Sequence, residues 1–78
     1  MFAEHGGDRA VATLAARAYF ASAQLERARR TVEPLVSAWP HDSYLRLLLG
    51  RTLQRLGRGE EAAPHLRLAG AMREGSAA

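Results

Sequence analysis

The fold turns on residues 42–74, DSYLRLLLGRTLQRLGRGEEAAPHLRLAGAMRE. Its first half places Leu45, Leu49, Gly50, Leu53 and Leu56 at three- and four-residue steps, which draw one stripe along a helix from about Asp42 to Leu56. Asp42 stands where a side-chain carboxylate can accept from the free N–H groups of a first turn and favour the helix dipole. Gly57 and Gly59 then supply a turn, since glycine takes the left-handed conformation common after a helix. A second helix is predicted from about Glu60 to Arg73, with Ala62, Leu66 and Ala69 inward. Pro64 falls beyond its first turn, where it removes one backbone bond and is expected to bend the helix.

Working toward the N-terminus, the same plan returns at a constant offset, which lays Asp8 on Asp42, Leu14 on Leu48, Arg17 on Arg51, Glu26 on Glu60 and Ala28 on Ala62. Asp8 reads as a second N-cap. From there to Ala23, the residues Ala12, Ala15, Ala16, Tyr19 and Ala23 recur at helical spacing. Leu25, Ala28, Val32, Leu35, Val36 and Trp39 form a further stripe over about Leu25 to Ala38, ended by Pro40. The expectation is an all-α chain of four helices in two stacked antiparallel hairpins. Repeats of about 8–41 and 42–74 form one domain over 8–74, and segments 1–7 and 75–78 are expected to be loose and flexible.

Composition narrows the function classes. With 78 residues the chain forms one small domain of marginal stability. No cysteine is present, so disulfides, thiolate metal sites and cysteine nucleophiles are excluded and a reducing cytoplasm is the expected setting. Neither a secretory leader pattern nor an apolar run of membrane-spanning length occurs in the sequence. His5, His41 and His65 are scattered, and Glu61 with His65 gives at most two ligands where zinc needs three or four. No nucleophile elbow or phosphate loop is present, so neither an enzyme nor a cofactor is expected.

The period and the small residues at crossing points resemble the tetratricopeptide repeat, a 34-residue helix-turn-helix unit that stacks into an α-solenoid. The best stretch is Leu49-Gly50, Leu53, Gly57, Ala62, Leu66 and Ala69; Ala15-Ala16, Tyr19, Ala28, Val32, Leu35 and Pro40 follow it more loosely. Ala12 and Arg46 replace the family's early tryptophan, and Leu35 exceeds the usual alanine. The resemblance implies a protein-protein interaction module whose first helices line a concave partner-binding face. Here that face would carry Thr13, Arg17, Phe20, Tyr44, Leu47, Arg51, Gln54 and Arg55, with Arg17 and Arg51 on adjacent helices about 10 Å apart and suited to an acidic peptide. The family's clamp for a peptide C-terminus uses lysine and asparagine, neither of which occurs in this chain.

Two further expectations concern partners. Two repeats are fewer than the about three usually wanted, so the chain is expected to belong to a longer array or to form a homo-oligomer. Leu68 and Met72 lack an obvious internal partner and are the candidate self-association residues. The rival class is a basic nucleic-acid-binding helical domain built on Arg27, Arg29, Arg30 and Arg58, with affinity falling steeply in salt. Glu26, Glu33, Glu60 and Glu61 among those arginines are expected to neutralise much of the field.

Overall fold

The computed structural model describes the backbone of residues 5–77 and the side chains of residues 9–74. The chain is all-α: α1 (His5–Ala21), α2 (Leu25–Ala38), α3 (Ser43–Arg55) and α4 (Gly59–Ala77), with no strand among the described residues. Short turns join α1 to α2 and α3 to α4 as helical hairpins, α2 packs on α3, and α1 meets α3 along one edge.

Local chemistry sets the boundaries. At the start of α3 the Asp42 carboxylate accepts from the Leu45 N–H at 3.1 Å, the expected N-cap. Asp8 does not repeat that role, because α1 begins at His5 and encloses it; Gly6 and Gly7 lower helix propensity without forbidding the helix. Of the segments expected to be loose, residues 1–4 and 78 lie outside the described residues, while 5–7 and 75–77 continue the helices. Pro34 and Pro64 both sit inside helices on exposed sides. The carbonyls they leave without an amide belong to Arg30 and Glu60, both exposed, where water can satisfy them.

The core gathers Ala16 from α1, Val32, Leu35 and Val36 from α2, Leu45, Leu48, Leu49 and Leu53 from α3 and Ala62 from α4, with Trp39 and Leu66 packed against it. Leu48 and Thr52 join the predicted stripe of α3 because that helix is covered on two sides, by α2 and by α4. Thr52 is fully buried, and its hydroxyl donates to the Leu48 carbonyl at 2.7 Å, so no polar group is left without a partner there. Gly50 and Ala62 meet where α3 crosses α4: a Cβ placed on Gly50 would lie 3.5 Å from the Ala62 carbonyl oxygen.

Both hairpins turn by the same device. After α3, the Arg58 N–H donates to the Leu53 carbonyl at 2.8 Å and the Gly57 N–H to the Gln54 carbonyl at 3.0 Å, with Gly57 at φ +80°. After α1, Gln24 donates to Tyr19 at 2.8 Å and Ala23 to Phe20 at 3.1 Å, with Ala23 at φ +62°. Ala23 therefore does not extend the inward stripe of α1; it is exposed and occupies the left-handed position that Gly57 holds in the next repeat. The left-handed conformation costs an L-residue about 1–2 kcal/mol. Ala23→Gly is expected to stabilise the chain by about 1 kcal/mol and to raise the thermal midpoint by about 4–8 °C. A circular dichroism melt that is unchanged or lower would show that Ala23 bears no such strain.

Candidate functional site

Side by side, α1 and α3 enclose an open groove of about 690 Å³, within the range of ligand-binding clefts. Leu14, Arg17, Ala18, Phe20 and Ala21 form one wall, and Tyr44, Leu47, Leu48 and Arg51 the other. Each wall runs for two turns, about 10 Å of helix. The floor is apolar because the upper edge of the core, Phe20 and Leu48, reaches it.

Five of the eight residues expected on a partner-binding face line this groove: Arg17, Phe20, Tyr44, Leu47 and Arg51. Arg55 stands beside it, its guanidinium 4.9 Å from the centre of the Phe20 ring. Arg17 approaches the Tyr44 ring at 6.0 Å, so arginine and aromatic pair across the groove in both directions, from α1 to α3 and back. Thr13 and Gln54 are not in the lining; the Thr13 hydroxyl instead donates to the Arg9 carbonyl of its own helix at 2.7 Å. Leu14, Ala18 and Leu48 belong to the groove although the spacing argument did not place them there. The signal was present for Leu14 and Leu48, which the internal repeat lays on one another.

Electrostatics give the groove a sign. Among the described residues no carboxylate lines it, while Arg17 and Arg51 are exposed within it. On α2 and at the start of α4, Arg29 and Arg58 are paired with carboxylates. Arg29 pairs with Glu26 and, at 2.9 Å, with Glu33; Arg58 pairs with Glu61 at 2.8 Å. The Arg29 hydrogen bond holds the Glu26 carboxyl below its ordinary pKa, and Arg58 does the same for Glu61. Arg27 donates to Gln24 at 3.1 Å and lies over the Tyr19 ring. The arginine cluster on α2 is thus threaded with carboxylates, and the groove is not.

At the other end of α1, Arg9 lies 5.2 Å from the Trp39 ring centre and 3.6 Å from the Asp42 carboxylate, fastening α1 to the turn between the hairpins. Arg46 donates to the Pro40 carbonyl at 3.1 Å and approaches His65 Nδ1 at 3.4 Å. Burial, and then the Arg46 charge, hold the His65 pKa below the ordinary imidazole value. His65 and Glu61 each face an arginine rather than one another. Among the described residues no three metal-binding side chains come together, and no helix is long and apolar enough to cross a membrane. On α4 Leu68 is exposed and Met72 half-buried.

Comparison with family models, with curated proteins and with solved structures finds no match to this chain.

Proposed function

We propose that the chain is a protein-interaction module of tetratricopeptide-like design, without catalytic activity, that holds an acidic segment of a partner protein in the α1/α3 groove. One observation carries the reading: an apolar groove bears two arginines at equivalent places in the internal repeat and, among the described residues, no carboxylate. Apolar walls with a few charged groups are what orient a ligand in a cleft. Arginine is also the side chain best matched to carboxylates, through its planar, two-pronged donor set. Two helical hairpins built on one repeating pattern support the likeness to the repeat family, and a chain without cysteine suits a cytoplasmic setting. Membership of a longer array, or self-association, goes with the small number of repeats.

The reading is tested with fluorescent peptides that carry glutamates beside leucine or phenylalanine, titrated against the parent and against Arg17→Glu combined with Arg51→Glu. Both arginines are exposed, so helicity is expected to be unchanged. Affinity is expected to fall at least about tenfold. Equal binding by the two proteins, or none by the parent, removes the groove function.

A further inference from the structure

Two aromatic rings of the groove already carry a cation. The Arg17 guanidinium, which leaves α1, lies 6.0 Å from the centre of the Tyr44 ring on α3. The Arg55 guanidinium, which leaves α3, lies 4.9 Å from the centre of the Phe20 ring on α1. A guanidinium above a ring is held by its flat face. Its N–H donors lie in the plane of the group, along its edge, where they remain free to meet a carboxylate in a two-pronged way. Ring contact and anion contact are therefore compatible, and the ring sets the donors in place before an anion arrives. Arg51 differs. It lines the groove and is exposed, and among the described residues it has neither a ring nor a carboxylate as partner.

The two ring-held arginines stand toward opposite ends of the groove. α1 turns back into α2 and α2 turns back into α3, so α1 and α3 run in the same direction. Tyr44 opens the α3 wall, and Phe20 comes near the end of the α1 wall. Leu47 and Leu48 lie between, over about two turns of helix. An extended chain rises about 3.3 Å per residue and turns every second side chain the same way. Laid along the groove, it can present an acid at each end and one apolar side chain to the floor between them.

Resting on the interaction function proposed above, we infer that Tyr44 and Phe20 are positioning residues, which hold Arg17 and Arg55 ready for two acids flanking an apolar residue in one extended segment of the partner. Arg55 thereby joins Arg17 and Arg51 in setting specificity, although it stands beside the lining and not in it. Ordering a long side chain at the moment of binding weakens affinity; a guanidinium already seated on a ring has lost that freedom on folding. A segment without the second acid draws nothing from one of the two held arginines. The advantage conferred by that second acid is thus the quantity the rings control, whereas a merely structural role for them would change all affinities together.

The test uses fluorescent peptides with the core Glu-Gln-Leu-Gln-Glu and the same core with one glutamate replaced by glutamine. Their affinity ratio is expected to be at least about fivefold in the parent. Tyr44 is 42% exposed, so Tyr44→Leu is expected to keep the fold and to lower the ratio by about two- to threefold. Tyr44→Phe retains the ring and is expected to keep the parent's ratio. Arg55→Gln alters an exposed position and no ring; it supplies a readout independent of Tyr44 and is expected to bring the ratio close to one. A ratio near one in the parent, a ratio that survives Tyr44→Leu or Arg55→Gln, or a fall in Tyr44→Phe equal to that in Tyr44→Leu overturns the assignment. If the parent still binds the two-acid peptide and Arg17→Glu with Arg51→Glu does not, the groove function stands without it.

Discussion

Gly50→Leu is expected to abolish the cooperative folding of the chain. A Cβ at residue 50 would already lie 2.5 Å from Leu66 Cδ2 and 2.7 Å from its Cγ, where nonbonded carbons settle near 3.5–4.0 Å. Alanine asks only that the Leu66 side chain swing aside: overpacking of about 1–3 kcal/mol is partly offset by the about 1 kcal/mol that alanine gains over glycine in a helix. Leucine has no such escape, because its further carbons must enter the space between α3 and α4. Separating those helices withdraws Leu49, Leu53 and Ala62 from one another. A chain of this size has on the order of 5 kcal/mol in total, so the loss exceeds what it holds. Urea titration followed by far-UV circular dichroism should show no sigmoidal transition for Gly50→Leu. Gly50→Ala should show a midpoint slightly below the parent's. The mechanism has its own check, since Gly50→Ala combined with Leu66→Ala should cost less than the two changes summed. Strict additivity would mean that the crossing of α3 and α4 is not where the strain falls.

That crossing was the most legible part of the sequence. Gly50, Ala62 and Ala69 are small residues at fixed places in a leucine-rich pattern, and α3 and α4 have few alternative ways to pack. The bounds of α2 also follow directly from Leu25 and from Pro40. The stripe of α1 also falls on the buried side, with Ala16 in the core and Ala12 packed against it; what the pattern could not give was how far that side extends. α1 is apolar or small nearly all round, so helical periodicity defines a stripe of Ala12, Ala16 and Tyr19 without denying burial to Val11 and Leu14. The same ambiguity moved the groove: its α1 wall includes Leu14 and Ala18, which periodicity had no means of separating from the packed face. Thr52 was hidden for the opposite reason. A hydroxyl reads as exposed until its bond to the carbonyl four residues back removes the cost of burying it. Ala23 reads as helix because nothing in an alanine announces φ +62°; only its equivalence to Gly57 in the second repeat does so.

The contrast between Leu45 and Leu14 yields the second large effect. Leu45 is fully buried between α2 and the rest of the core. Leu45→Ala removes three carbons from a site that side chains of two helices close, and buried Leu→Ala changes cost about 2–5 kcal/mol. In a domain of this size that leaves a substantial unfolded population at room temperature. Leu14 has the same residue type on the first helix of the other repeat, yet Leu14→Ala falls on an exposed position and should alter stability by less than about 0.5 kcal/mol. Its effect should appear instead in binding, since Leu14 lines the groove. Denaturation midpoints and peptide affinities measured on the two variants therefore separate folding from recognition. Comparable losses of stability at both positions would mean that in solution Leu14 is covered within the monomer, and the groove wall would have to be abandoned.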